Sequence, residues 1–238
     1  MKLLVGGSGS FGNSYILTDG KEYLILDAGV SLKAMMPLID FQISKVSGVL
    51  VSHVHMDHHQ FSKGWEQRGI PVITPFDDSK KIPQLRKSSC FKVQYFPLQD
   101  TLGEWVHTNG DGSKCPVYGF YITHPDLGTM VYCTDCEIIK WKFSNVNHFL
   151  LGTNYDLDII AEMEENDLKS NHVYSGHLSI QAACKFVQAN QNAELRNVIL
   201  CHLSSQNGSP DDFKKKMQEV VGENTKVTIA KKGLEIDL

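Results

Sequence analysis

The sequence predicts an α/β protein, and three observations carry that expectation. Apolar runs of strand length recur along the chain, each closed by glycine, serine, asparagine or aspartate. The runs come in two groups, and each group is followed by segments of helical character. The 238 residues are 42% hydrophobic and 21% charged, ordinary globular usage that allows a sizeable core. We see no linker, repeat or low-complexity segment, so residues 1–238 are expected to form a single domain.

Taken in order, residues 2–5 read as a first strand. The glycine-serine-rich stretch 6–13 follows, and it is either a plain turn or a loop whose backbone amides approach a phosphate. In the second case Ser10 and Asn13 are its candidate substrate contacts. Residues 14–18 and 23–26 form a hairpin around Asp19-Gly20-Lys21. Residues 31–39 read as a short amphipathic helix with Ser31 as N-cap. The apolar run 48–51 is a buried strand. Beyond it, 61–68 should be helical and 71–74 a strand. Residues 78–87 are expected to form a helix with a solvated basic face of Lys80, Lys81, Arg86 and Lys87. Strands follow at 90–98, 117–123 and 129–134, the last two joined by a hairpin connection in which His124 should face solvent. Residues 146–151 are an apolar strand, 158–166 a helix, and 180–189 a helix capped by Ser179. The last core strand is 197–201. Ser209-Pro210 then starts a helix over 211–221. Residues 226–230 and 234–237 are expected to close the chain as a hairpin.

The chemistry concentrates after strand 48–51. Between His53 and His59 lie four histidines and Asp57, and imidazole with carboxylate suits zinc and related ions. His53 and His55 are two apart and point to one side of an extended chain. Asp57 and His58 follow on a turn or helix start and can face a second ion. The net charge of −4 argues against a protein that lives on a nucleic-acid backbone, without excluding a local basic patch. No apolar run of spanning length exists, and the start of the chain is too short in apolar residues for a signal peptide, so a cytoplasmic protein without membrane contact is expected. The six scattered cysteines then read as reduced thiols. Cys133 and Cys136 read as buried thiols flanking a functional aspartate, Asp135.

The pattern His53-x-His55-x-Asp57-His58 resembles the signature of the metallo-β-lactamase superfamily, and further stretches match in order. They are Gly12-Asn13-Ser14-Tyr15 running on to Leu26-Asp27-Ala28-Gly29, a strand ending in Thr134-Asp135, Gly176-His177-Leu178-Ser179 before a helix, and His202-Leu203-Ser204 after a strand. The resemblance implies a four-layered αββα sandwich and two bound ions, zinc first and manganese as the variant. It implies that Asp27 supports the metal loop, that Asp135 bridges the ions, and that His202 completes the second metal with Asp57 and His58. The first metal then has His53 and His55 and is one protein ligand short. Gln99 follows the strand after which many relatives carry histidine, and His107, with Asp111 near by, is the candidate third histidine.

Within this superfamily the order Asp135, His177, His202 resembles phosphodiesterases: tRNase Z, YycJ-like nucleases and phage anti-Pycsar enzymes that open cyclic nucleotides. Gly152-Thr-Asn154-Tyr155-Asp resembles a YycJ-like strand end, with Gly152 where glutamate would stand. The implied chemistry is attack by a metal-bridging hydroxide that Asp57 orients, with His177 or Tyr155 protonating the leaving oxygen. The chain has no long Gly/Pro-rich arm, no inserted second domain and no strongly basic surface. The preferred substrate is therefore a small phosphodiester, a cyclic nucleotide monophosphate. The alternatives are a single-stranded nucleic-acid nuclease, a carboxyl ester or lactone hydrolase, and a binding module with a degenerate site. Related enzymes are commonly dimers, so a homodimer is expected, with segment 102–115 closing the partner's pocket. His59, His148 and His172 match no position of the pattern.

Overall fold

The computed structural model describes every residue except 80, 106, 165–175, 205 and 206. Lys80, His172 and the end of the expected helix 158–166 lie outside the described residues.

The first half of the chain gives β1 (Lys2–Gly7), β2 (Ser14–Thr18), β3 (Tyr23–Leu26), α1 (Leu32–Met35), β4 (Val46–Leu50), α2 (Met56–His59), α3 (Ser62–Glu66) and β5 (Val72–Ile73). The second half gives β6 (Lys92–Pro97), β7 (His107–Thr108), β8 (Lys114–Cys115), β9 (Tyr118–His124), β10 (Gly128–Cys133), β11 (His148–Gly152), α4 (Leu157–Glu164), α5 (Ile180–Asn190), β12 (Asn197–Cys201), α6 (Pro210–Val221), β13 (Lys226–Ile229) and β14 (Glu235–Asp237). They build two six-stranded sheets, ordered β14-β1-β2-β3-β4-β5 and β13-β12-β11-β10-β9-β6, and a two-stranded ribbon β7-β8.

Period-two alternation sorts the side chains into layers. Leu3, Leu17, Leu24, Leu26 and Leu50 meet Phe120, Ile122, Met130, Leu150 and Ile199 between the sheets. Ile16, Ile25, Val49 and Val51 point the other way, onto Met35 and Trp65. Phe149, Leu151, Val198 and Leu200 face Phe186, Phe213 and Met217. The result is the αββα order, helix, sheet, sheet, helix. Each such buried side chain contributes roughly 1.5–3 kcal/mol by leaving water. The central strands β4, β11 and β12 are buried at every residue, as parallel strands covered on both faces must be.

The expected caps are formed. Ser31, Ser179 and Ser209 accept from the amides of Ala34, Ala182 and Asp212 at 3.4, 3.1 and 3.4 Å. Helix α1 tightens after Met35 into a 3₁₀ turn over Met36–Ile39, where Pro37 lacks the N–H that an α-turn would use.

Three expectations fail. The described residues of 78–87 form no helix: Pro83 interrupts the segment. Ile82 and Leu85 pack instead against the core between the sheets, and the Arg86 amide donates to the carbonyl of Ser47 at 3.0 Å. Residues 226–237 are not a hairpin. β13 follows helix α6 as a crossover and pairs parallel with β12, whereas β14 pairs antiparallel with β1 in the other sheet. The turn between them lies against Val5, which accepts from Gly233 N at 2.8 Å and donates to Leu234 O at 2.9 Å. His124 is not solvent-facing. It shares the inward face of β9 with Phe120 and Ile122, is 5% exposed, packs on Phe91 and accepts from the Asp126 amide at 3.1 Å.

Candidate metal centre

Three strand ends and one inserted ribbon converge at one edge of the sandwich. β4 runs into His53 and His55, and the single helical turn α2 carries Asp57 and His58. β10 and β12 end just before Asp135 and His202, and β7 begins at His107. Ligand atoms of His53, His55 and His107 lie within 4.8 Å of one another, and so do those of Asp57, His58, Asp135 and His202.

Asp135 joins the two groups. Its Oδ2 is 3.4 Å from His53 Nε2, 2.9 Å from His58 Nε2 and 3.8 Å from His202 Nε2. Asp57 Oδ2 stands 3.2 Å from His58 Nε2 and 3.1 Å from His202 Nε2. His107 Nε2 lies 2.9 Å from His55 Nδ1. Gln99 pairs its backbone with Trp105, and Asp111 is exposed at the ribbon tip, where it accepts from the Ser113 amide.

The rings are held from behind, and the partners fix which nitrogen faces the centre. Asp27 accepts from the Ser52 amide at 2.8 Å, from the Ser52 hydroxyl at 3.1 Å, from His58 Nδ1 at 2.6 Å and from the Tyr132 hydroxyl. Ser52, having donated its proton, is free to accept from His53 Nδ1 at 3.0 Å. Asn109 Oδ1 accepts from His55 Nε2 at 3.2 Å. His202 donates its amide to Ser8 Oγ at 3.0 Å, and the Asn154 amide reaches the His202 carbonyl at 3.2 Å. Of these, Ser8, Ser52, Asn109 and Tyr132 carry no sequence signal, because any neighbouring loop or strand can supply a supporting hydroxyl or amide. Asp27, Asp135 and His202 share a further property: each takes a left-handed backbone at a strand end, with φ of 59°, 48° and 54°.

The donor set fits divalent cations. His53 Nε2 is buried and has no hydrogen-bond partner. The facing nitrogens of His55 and His107 require a proton or a cation between them. Burial, reinforced by His58, holds His53 well below the usual histidine range, and burial takes His107 to about 4, so both keep lone pairs at neutral pH. Burial alone would raise Asp57 and Asp135. Hydrogen bonds from His202 and His58 outweigh it for Asp57, and the charges of the same two rings outweigh it for Asp135, keeping both carboxyls well below their ordinary range. His53 and His107 are thus neutral donors beside ionised carboxylates, whereas His58 and His202, raised against the effect of burial by Asp27, Asp135 and Asp57, must give up a proton to bind a metal.

His177 opens the wall of the site. Its Nε2 is 3.7 Å from Asp135 Oδ1, its side chain is 24% exposed, and burial lowers its pKa against the pull of Asp135. The other expected substrate contacts are spread out. Asn13 is buried beneath the centre and donates to Asp57 Oδ2 at 3.2 Å and to Gly9 O at 3.1 Å. Ser10 is exposed at the glycine-loop tip, and Tyr155 is buried with its backbone bridged to Ser179. Gly152 has a steric reason: a Cβ there would lie 2.6 Å from Thr134 Oγ1. Cys133 and Cys136 are buried free thiols on either side of Asp135.

Comparison with known proteins follows the same lines. A family model described as metallo-beta-lactamase superfamily matches residues 7–125. The chain is 26% identical over 234 residues to exodeoxyribonuclease YycJ of Bacillus anthracis, covering 91% of this chain and 87% of the relative. It is 23% identical over 223 residues to exodeoxyribonuclease WalJ of Streptococcus pneumoniae, covering 87% and 82%. Among solved structures, the metallo-beta-lactamase fold protein YhfI of Bacillus subtilis superposes with a TM-score of 0.66 at 19% identity over 99% of this chain and 98% of its own. The short form of human tRNase Z gives a TM-score of 0.58 at 14% identity over 100% and 99%.

Proposed function

Since the chain belongs to the metallo-β-lactamase superfamily and is a metal-dependent hydrolase, we propose that it is a dinuclear zinc phosphodiesterase that cleaves single-stranded nucleic acid, DNA first. The observation that carries the reading is Asp135, whose Oδ2 lies within 3.8 Å of ring nitrogens from His53, His58 and His202 and so can be shared by two ions. His53, His55 and His107 would hold one ion. Asp57, His58 and His202 would hold the other, with zinc favoured by the imidazole-rich set and manganese as the variant.

When bound, such ions would supply Lewis acidity and lower the pKa of a coordinated water toward 7. The protein's own groups do the rest. Asp57, ionised and angled by His58 and His202, accepts a proton from and orients the attacking water. His177, on the open side, offers a ring N–H to the leaving oxygen. Asp27, through Ser52 and His58, keeps the donor set aligned while charge develops.

The relatives named exodeoxyribonucleases match over most of their length, which supports a nucleic-acid strand as substrate. A cyclic nucleotide monophosphate is the second reading, favoured by the net charge of −4. The expected homodimer belongs to the same proposal. His107 turns into its own chain's site while Leu102 stays exposed, so Leu102 is the side left for a partner, and native mass spectrometry reads the stoichiometry. The decisive experiment compares end-labelled single-stranded DNA, cyclic mononucleotides, bis-p-nitrophenyl phosphate and a carboxyl ester, with and without chelator, alongside metal content. Chelator-sensitive cleavage of DNA with two ions per chain is expected. Preference for cyclic mononucleotides would reverse the order of the two readings, and preference for the carboxyl ester would overturn both.

A further inference from the structure

A groove of about 380 Å³ runs between residues 137–142 and helix α5. Its lining residue Glu137 links it to segments of the candidate metal centre. Glu137 is two residues beyond Asp135, and its Oε1 accepts at 2.8 Å from the amide of Gly176, the residue before His177. Its walls expose apolar surface that folding alone does not explain: Ile138 is 43% exposed, Leu157 40% and Trp141 37%. The Trp141 ring is fixed in place. Its N–H donates to the Pro97 carbonyl at 2.8 Å, and its edge packs on Phe96 with centroids 5.7 Å apart.

The charge of the groove opposes that of the whole chain. Lys140, Lys142 and Lys185 line it and are exposed, and among the described lining residues Glu137 is the only acid. Lys140 Nζ donates to the backbone carbonyl of Asp100 at 2.9 Å, and the nearby Asp100 carboxylate offsets part of its charge, so Lys142 and Lys185 carry most of the positive character of the groove. A rigid aromatic face flanked by lysines matches a polymer of alternating π-faces and phosphates. A single mononucleotide at the metals would use neither. An acidic or apolar peptide would match one feature without the other.

We propose that this groove is the track along which a single nucleic-acid strand enters the metal centre, with a base stacked on Trp141 and successive phosphates against Lys140, Lys142 and Lys185. The inference rests on the phosphodiesterase reading and adds the surface that makes the substrate a strand.

The test uses the full-length, metal-loaded protein with two substrates in parallel, a fluorescein-labelled oligothymidine and bis-p-nitrophenyl phosphate. None of the altered residues belongs to the metal centre. Trp141→Ala should raise the KM for the oligonucleotide about tenfold, as loss of one stacked base does, and Trp141→Phe should restore most of it. The triple change Lys140→Glu, Lys142→Glu and Lys185→Glu should weaken binding and flatten the salt dependence of log K by about 2, the share of three phosphate contacts on a single strand. Turnover of bis-p-nitrophenyl phosphate should stay unchanged in every variant. Variants that bind and cut the oligonucleotide like the parent overturn the track while leaving the phosphodiesterase reading intact. A parent protein inactive on both substrates overturns that reading and the track with it. A dimer that Trp141→Ala dissociates, with DNA cleavage unaffected, also overturns the track, because the groove then serves a second copy.

Discussion

A Cβ placed on Gly176 would lie 1.9 Å from His107 Nδ1, and the backbone there has φ +94°, so no other residue fits without moving that ring. Gly176→Ala should therefore act through the metal centre. We expect it, like His107→Ala, to release about one metal ion per chain, read by inductively coupled plasma mass spectrometry. If His107→Ala keeps both ions, His107 is no ligand. A second prediction concerns His148, which is buried away from the centre. Its Nδ1 accepts from Asn197 and its Nε2 donates to Leu127 O, both at 3.1 Å, so the fold holds the neutral ring. Burial takes it to about 4 from an ordinary 6.5. The unfolded chain then binds the extra proton first. Stability is complete above pH 6.5, falls as the pH drops toward 4, and levels off below, by up to about 3 kcal/mol. Denaturant titrations of the parent and His148→Gln across pH 4–7 should show a steeper slope in the parent, the difference being the share of His148 beside that of buried His53 and His107. At this scale the sequence was legible wherever candidate donors are consecutive or end a strand: the structure brings together His53 to His58, Asp135 and His202. Burial of His124 was not legible, because a histidine before a proline looks the same whether its strand face points in or out.

Among the elements, the strands were read well and the connections less so. Strands announce themselves by apolar runs bounded by turn residues, and β4, β11 and β12 are such runs. The stretch 102–115 offers no apolar period. It nevertheless supplies the β7–β8 ribbon, in which His107 pairs with Cys115 and Asn109 faces His55. The 78–87 segment fails for the converse reason: its charges suggest a helix face, and Pro83 with the packing of Ile82 and Leu85 decides otherwise. Pairing partners of β13 and β14 depend on contacts some thirty residues or more away in sequence, beyond any local pattern. The ribbon carries a prediction of its own. Asn109→Ala removes the acceptor behind His55 and should weaken metal binding about tenfold or more without unfolding the protein. Competition with a zinc indicator reads the affinity, and circular dichroism reads the fold.

For the molecule as a whole, the metal centre joins the two sheets. His53 and His55 follow a strand of one sheet, Asp135 and His202 follow strands of the other, and Tyr132 donates across the gap to Asp27. Ions bound there would tie one sheet to the other. Ligand linkage gives about 4 kcal/mol when free metal stands at a thousand times its dissociation constant. Chelation should therefore lower the melting temperature by several degrees, and an unchanged midpoint in calorimetry would mean that the sheets do not depend on the ions. The sandwich could be read from the resemblance of its motifs, whereas the groove beside α5 could not, because its walls come from segments some forty residues apart. The left-handed strand ends at Asp27, Asp135 and His202 set robustness against activity. Asparagine or glycine would relax the backbone there without burying a charge, and neither supplies the carboxylate or imidazole that each position contributes. Asp135→Asn should melt at a higher temperature than the metal-free parent while losing nearly all turnover. Selection for heat resistance alone would then erode the enzyme first at the residues that define it.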